Sequence, residues 1–161
     1  LQKSNIQKGS KVMIYGASGA VGSSAVQIAK YYGGEVTGVC STANVDMVIA
    51  LGADSVIDYS KDDFTTENGK YDIVFDAVGK TAYSKVKSWL KPNGKFLSVI
   101  TSGHAKGSVQ ELRFLTELVE SGKVKPVIDR KYDFEQMAEA HRYVDEGHKK
   151  GNVVVTVAQN I

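Results

Sequence analysis

"KVMIYGASGAVGSSAVQIAKYYGGEVTGVCST", Lys11 to Thr42, sets three glycines between a short apolar run and a long helical pattern. Lys11–Tyr15 has the length of a buried strand. Gly19–Tyr32 carries Val21, Ala25, Ile28 and Ala29 at helical spacing until Gly33 and Gly34 stop it. Glu35–Val39 reads as the next strand. Strand, glycine loop, helix and strand make a βαβ unit, and its right-handed crossover makes the two strands parallel.

The alternation continues outward from this unit. Asn44–Leu51 reads as a short helix capped by Asn44 with Asp46 in its first turn, and Ser55–Asp58 as a third strand. Tyr71–Asp76 is a fourth strand, Ala82–Leu90 a helix, and "KPNG" a turn into a fifth strand at Lys95–Ile100. Val109–Ser121 is an amphipathic helix ended by Gly122. This order predicts an α/β fold, a doubly wound parallel sheet of about five strands with helices on both faces. After Gly122 the style changes: "VKPVIDRKYD" is extended, Phe134–Glu146 is helical with Met137, Ala140, His141 and Val144 on one side, and "NVVVTV" is a β-branched strand. A single domain over 1–161 is expected, with its core at about 9–122 and a strand-helix-strand tail at 123–161.

The chain has 161 residues, 42% hydrophobic and 24% charged, enough for one well-buried core. Twenty basic and eighteen acidic residues leave a net charge of +2, with no single-signed field and no basic block interleaved with aromatics. Nucleic acid and membrane are therefore excluded as expected partners, and a small molecule remains. The single cysteine, Cys40, rules out an internal disulfide framework and a Cys-rich zinc site, and no signal peptide or spanning run opens the chain. The expectation is a cytoplasmic protein. Opening on "LQKSNIQKGSKVMIYG" without a start Met, the chain reads as an excised domain.

Gly16, Gly19 and Gly22 fall where a strand ends and a helix begins, where backbone N–H groups lack intrahelical partners and aligned peptide dipoles favour an anion. Ala17-Ser18-Gly19-Ala20-Val21-Gly22 matches the dinucleotide fingerprint except for alanine at its first place, with Gly16 just before it to make the turn. Gly19 would admit a pyrophosphate, and Gly22 would let helix and strand approach. An NAD site usually places an acid about twenty residues beyond the loop. Here stand Cys40, Ser41 and Thr42. Hydroxyls donate to a 2′-phosphate that a carboxylate would repel, so NADP(H) is expected over NAD(H). Tyr59 and Lys61 would flank the same phosphate, although no arginine reinforces it.

Six segments in order, "YGASGAVGSSAVQIAK", "EVTGVCST", "LGADSVIDY", "YDIVFDAVG", "LKPNGKFLSV" and "GKVKPVIDR…EAHRYVDEGHKKGNVVVTV", resemble the medium-chain dehydrogenase/reductase superfamily, in its zinc-independent, zeta-crystallin-like quinone oxidoreductase branch. The resemblance implies an NAD(P)-binding Rossmann domain. It makes the Ala17–Val21 loop the pyrophosphate site, Ser41, Thr42 and Tyr59 the 2′-phosphate surroundings, and Asp76 with Ala77, Val78 and Gly79 a border of the ribose. Val99, Ile100 and Thr101 would meet the nicotinamide, and Gly151–Asn152 would be a closing turn on the cofactor's other side. No metal site is implied. Two departures stand out: nothing precedes Leu1 where family members carry a GroES-like catalytic domain, and only "TSGHAKGSVQ" stands where a sixth strand usually pairs across a homodimer. A homodimer stays open without that strand. Val127–Tyr132 and Val153–Val157, which pack into the catalytic domain in relatives, are expected to pair with each other or with another chain.

The function implied is hydride transfer between a nicotinamide and a quinone, enone or carbonyl/alcohol substrate, with no catalytic residue assigned. A non-catalytic NAD(P)-binding module for redox sensing or assembly is the alternative. Tyr83 and Lys87 have the Tyr-x-x-x-Lys spacing of short-chain dehydrogenases, but precede the fifth strand where that family's pair follows it. His104, His141 and His148 lack ligand spacing, His141 reading as a core or interface residue. Asp72 and Asp76 are too isolated for paired-carboxylate chemistry, and Trp89 is expected near the core.

Overall fold

A computed structural model describes residues 4–62, 68, 70–101 and 107–157. Five strands, β1 (Lys11–Tyr15), β2 (Glu35–Cys40), β3 (Ser55–Asp58), β4 (Tyr71–Asp76) and β5 (Leu90–Ser98), form one parallel sheet in the order β3-β2-β1-β4-β5. Helices α1 (Ala20–Tyr31), α2 (Val45–Ala50) and α3 (Tyr83–Val86) lie between strands, and α4 (Val109–Glu120) follows β5. From β1 the chain steps outward through β2 to β3, then returns to place β4 on β1's other side. That reversal makes a topological switch point between β1 and β4. The doubly wound parallel fold is as the sequence predicts.

Its centre is β1. Val12, Met13 and Ile14 are wholly buried, and period-2 geometry sends them to opposite faces. Val12 and Ile14 pack with Ala25, Val26 and Ala29 of α1, whereas Met13 meets Val74, Val86 and Trp89. Each such side chain contributes about 1.5–3 kcal/mol by leaving water. Burial on both faces is the reason the run is continuously apolar. Helix α1 stops on a left-handed glycine: Gly33, at φ 78°, donates to the Lys30 carbonyl, and Gly34 donates to that of Ala29.

Several local expectations are corrected. Asn44 makes no side-chain cap, because a 3-10 turn at Thr42–Asn44 precedes α2 and carries its amide toward Ser18 and Ser41. The helix expected over Ala82–Leu90 is only the four residues of α3. Trp89 is buried against Val86, and its carbonyl accepts the N–H groups of Lys70 and Tyr71, drawing the chain into the sheet from Leu90. Lys91–Gly94 then loops out, with Asn93 at φ 68°, before pairing resumes at Lys95. Strand β5 ends at Ser98 rather than Ile100. No further strand occurs among the described residues between β5 and α4; residues 102–106, with His104, lie outside them.

In the tail, β6 (Ile128–Asp133), a 3-10 turn at Phe134–Gln136, α5 (Met137–Asp145) and β7 (Asn152–Thr156) form a parallel two-stranded sheet with a helical crossover. The two tail strands therefore pair with each other. Gln27 of α1 fastens the approach to this unit: its Oε1 accepts the Lys125 N–H at 2.7 Å and its Nε2 donates to the Lys125 carbonyl at 3.0 Å. Gln27 is 8% exposed. Truncation in Gln27→Ala strands both groups and is expected to cost about 1–3 kcal/mol. Urea unfolding would read this as a lowered midpoint at unchanged slope. An unchanged midpoint would mean that water replaces the amide.

Candidate functional site

Strand register brings the predicted loops to one edge. Tyr15 lies beside Val39 and Asp76, Cys40 beside Asp58, and Asp76 beside Ser98. The chain therefore leaves the sheet at Gly16, Ser41, Tyr59, Ala77 and Val99 along a single row of carboxyl ends. At the switch point the loops touch: Ala77 N–H donates to the Tyr15 carbonyl at 3.0 Å, and a Cβ on Gly16, at φ 79°, would collide with Val78.

The glycine loop divides its labour differently from the sequence reading. Gly16 and Ala17 both donate their N–H to the Val39 carbonyl at 3.0 Å, and Gly19 donates to Gly16 at 3.2 Å. Ala17 is wholly buried. These three amides hold the turn together and are not offered outward. The first-turn amides of α1, on Ala20, Val21 and Gly22, lack intrahelical acceptors by geometry. No side chain caps them, since Gly19 is the N-cap, and no acid lies in that turn. A Cβ on Gly22 would drive into the Gly16 carbonyl and sit 2.8 Å from the Ala17 Cα. Gly19, at φ −77°, needs no glycine for its backbone, and a Cβ there would meet nothing nearer than the Gly16 oxygen at 3.6 Å. What Gly19 leaves is room beside unpaired donors.

At the ends of β2 and β3 two further readings are corrected. Cys40 is 1% exposed and packs in the core, so its side chain faces no ligand. Burial foremost, and then Asp58, pushes its thiol up to about 11. Thr42 donates its hydroxyl proton to Asp58 at 2.5 Å, which commits the donor assigned to a phosphate. That bond is the main reason the Asp58 carboxyl titrates below its usual range. Lys61 lies 3.6 Å from the same carboxylate. Ser41 and Ser18 instead accept from the Asn44 amide at 3.1 and 3.2 Å, which leaves both hydroxyl protons to donate elsewhere. Asn44 Oδ1 is buried with no donor from the protein. An orphaned acceptor between two donating hydroxyls fits a sugar phosphate that carries its own hydroxyl. Tyr59, 51% exposed, stands beyond them.

On the other side of the switch point Asp76 is wholly buried. Its Oδ1 accepts from Val78 and Gly79 at 3.0 and 2.9 Å, and its Oδ2 from Thr81 at 3.0 Å, so one carboxylate shapes the whole loop after β4. Nearby Tyr15 has its phenol pushed above the usual range, by burial first and by Asp76 next. Val78, Val99 and Ile100 stay exposed as an apolar lip, with Thr101 beside them.

Sequence reading expected the turn at Gly151–Asn152 to close the site, and the structure ties it there. Gly151 donates its N–H to the Ser18 carbonyl at 2.8 Å and bridges Gly19. Lys149 Nζ folds onto the Gly151 carbonyl at 2.7 Å, and Lys150 Nζ reaches the Ala43 carbonyl at 3.3 Å. Neither the Asn44 amide bonds nor the Lys150 contact follows from local spacing in the sequence. Tyr83 is 52% exposed and its ring leans on that of Phe96. His141 and His148 are exposed, which removes the core account of His141. Among the described residues no three His, Cys, Asp or Glu side chains are grouped to hold a metal ion.

Comparison with known proteins agrees with this architecture. Residues 51–110 and 101–155 match the family described as "Zinc-binding dehydrogenase". The chain is 36% identical over 171 residues to an NADPH-dependent alkenal/one oxidoreductase, chloroplastic, of Arabidopsis thaliana, covering 96% of this chain and 42% of that protein. It is 35% identical to a 2-methylene-furan-3-one reductase of Solanum lycopersicum, with the same coverage. The chain thus spans less than half the length of these relatives. A solved NAD-dependent alcohol dehydrogenase superposes with a TM-score of 0.85 at 25% identity, covering 98% of this chain and 54% of that one. Among the described residues no metal ligand set accompanies the likeness. With its sheet order, its glycine loop and these matches taken together, the chain belongs to the zinc-binding dehydrogenase family of the medium-chain dehydrogenase/reductase superfamily.

Proposed function

We propose that the protein carrying this chain is an NADP(H)-dependent oxidoreductase of the zinc-independent quinone-oxidoreductase branch, acting on a quinone, enone or carbonyl/alcohol substrate. One observation carries the reading: the start of α1 is uncapped and free of acids, and faces the space left by Gly19 at the switch point. The amides of Ala20, Val21 and Gly22 would hold the bridging phosphates. Ser18, Ser41 and Asn44 would take the adenosine ribose and its phosphate, with Tyr59 flanking. Val78, Val99 and Ile100 would wall the nicotinamide, and a bound nicotinamide would supply or accept the hydride. The chain's own task is to bind, orient and exclude water. No proton donor is assigned to its residues.

NADP(H) is favoured over NAD(H) because, among the described residues, the carboxylate that ends β3 is already engaged: Asp58 accepts from Thr42 and lies 3.6 Å from Lys61. The NADPH in the name of the Arabidopsis relative supports the same preference. The tail from residue 123 onward is read as the part that joins a catalytic domain in the full-length product. Cytoplasmic residence belongs to the same reading and rests on the single buried cysteine; among the described residues no helix is long and apolar enough to cross a membrane.

The test is a cofactor titration and hydride assay on the full-length gene product, with NADPH, NADH and a panel of quinones and enones. NADPH should bind about tenfold or more tightly than NADH, roughly 1.4 kcal/mol, and be oxidised by at least one acceptor. A clear NADH preference would reject the role given to Ser41. Tight binding without turnover across the panel would favour the redox-sensing or assembly module.

A further inference from the structure

We infer that Lys150, from the turn before β7, supplies the cation that reads the 2′-phosphate of the cofactor, a role that rests on the dinucleotide reading above. Local sequence shows no such cation beside Ser41. The structure brings one from 107 positions away: Lys150 Nζ lies 3.3 Å from the carbonyl of Ala43, in the turn Thr42–Asn44 that follows Ser41. An ammonium has three N–H donors, and Ala43 takes one. Two remain, held on the same turn that Ser41 opens, and the Ser41 hydroxyl proton is free because its oxygen accepts from Asn44.

Charge accounting at this corner points to the same residue. Asp58 under Thr42 and Asp62, whose carboxylate accepts the Asp58 N–H at 3.0 Å, bring two negative charges, and Lys61, 3.6 Å from Asp58, offsets one. A dianionic group here therefore needs a further cation. Among the described residues Lys150 makes no ion pair, so its charge is available to a phosphate. Its backbone is also held in place. Asp129 of β6 accepts the Lys150 N–H at 2.9 Å and the Tyr143 hydroxyl at 2.6 Å, and the next residue, Gly151, is bonded to Ser18 of the glycine loop. With its backbone and its ammonium both held, little ordering accompanies binding.

The turn therefore has two jobs: Gly151 closes the pyrophosphate loop and Lys150 distinguishes the phosphorylated from the plain adenosine ribose. The experiment measures equilibrium binding of NADPH, NADH, adenosine 2′,5′-diphosphate and ADP to the full-length product and to Lys150→Ala and Lys150→Arg; none of these needs turnover. Lys150→Ala should weaken the two 2′-phosphorylated ligands by about tenfold, the loss of one charge-assisted contact. NADH and ADP should be unchanged, which also reports that the variant is folded. Lys150→Arg should restore most of the loss. The NADPH affinity should fall with added salt more steeply in the unaltered protein than in Lys150→Ala. If NADPH binds Lys150→Ala as well as the unaltered protein, the assignment is overturned while the dinucleotide reading stands. If the unaltered protein binds neither cofactor, both are overturned. Equal weakening of all four ligands would also overturn it, since the turn would then be merely structural.

Discussion

Asp76→Ala is expected to lower the free energy of unfolding by about 3–5 kcal/mol, the range for stripping the partner from buried, charge-assisted hydrogen bonds. The carboxylate is wholly buried and is the shared acceptor for the N–H groups of Val78, Gly79 and Thr81. Removing it leaves three donors facing a methyl group and a void. Three independent losses would sum higher, but the loop after β4 has exposed residues and can open to water, so the low end is expected. Asp76→Asn separates the contributions: its Oδ1 still serves Val78 and Gly79, while an NH2 group opposes the Thr81 N–H, and the cost should fall between wild type and alanine. Urea unfolding followed by two probes checks both the size and the two-state assumption. A cost under about 1 kcal/mol for alanine would mean that Asp76 does not organise this loop. The local consequence is functional as well, because Val78 packs against Gly16. A loosened loop should weaken dinucleotide binding beyond what the stability loss explains.

Legibility in the sequence followed from how local each determinant is. Val12, Met13 and Ile14 announce a doubly covered strand because burial on both faces leaves no polar position, and the Lys11–Val39 unit carries its own crossover rule. Gly22 was readable for the same reason, since helix-on-strand packing at that offset is fixed by the turn. Where two elements compete for a residue, the local pattern failed. Trp89 continues a helical pattern in sequence, yet its burial with Val86 and its carbonyl's bonds to Lys70 and Tyr71 pull it to the sheet. Thr42 and Asn44 have the composition of a phosphate-binding, helix-capping turn. Their hydroxyl and amide are nonetheless taken up by Asp58 of β3 and by Ser18 of the glycine loop together with Ser41. Gly16 and Ala17 carry the fingerprint but spend their amides on Val39. Lys150 had no local signal, because its meaning depends on a contact across most of the chain. The general rule is that residue types locate the loops, whereas the hydrogen-bond partners decide which atoms of a loop face the ligand.

Gly19→Ser and Gly22→Ala should move stability and affinity in ways that separate the two glycines. Serine at position 19 fits the extended N-cap backbone, φ −77° and ψ 176°, and its oxygen can accept from a first-turn N–H. Stability should therefore rise by a few tenths of a kcal/mol, roughly the advantage of serine over glycine at an N-cap. The same side chain would occupy the space beside Ala20, Val21 and Gly22, and competes for the donors assigned to the pyrophosphate. Dinucleotide affinity should fall by about tenfold or more. Gly22→Ala behaves otherwise. Helix propensity favours alanine by about 1 kcal/mol, but the new methyl meets the Gly16 carbonyl and the Ala17 Cα, backbone atoms that cannot rotate away. Overpacking of this kind costs about 1–3 kcal/mol, so the net change is destabilising, and the displaced loop should bind the cofactor poorly as well. Thermal unfolding and NADPH titration of both variants in the full-length product decide the matter. A stabilised Gly19→Ser that binds NADPH at wild-type affinity would remove the anion from the start of α1 and with it the identity proposed for this site. A Gly22→Ala that gains stability would instead show that α1 can step away from β1 without cost.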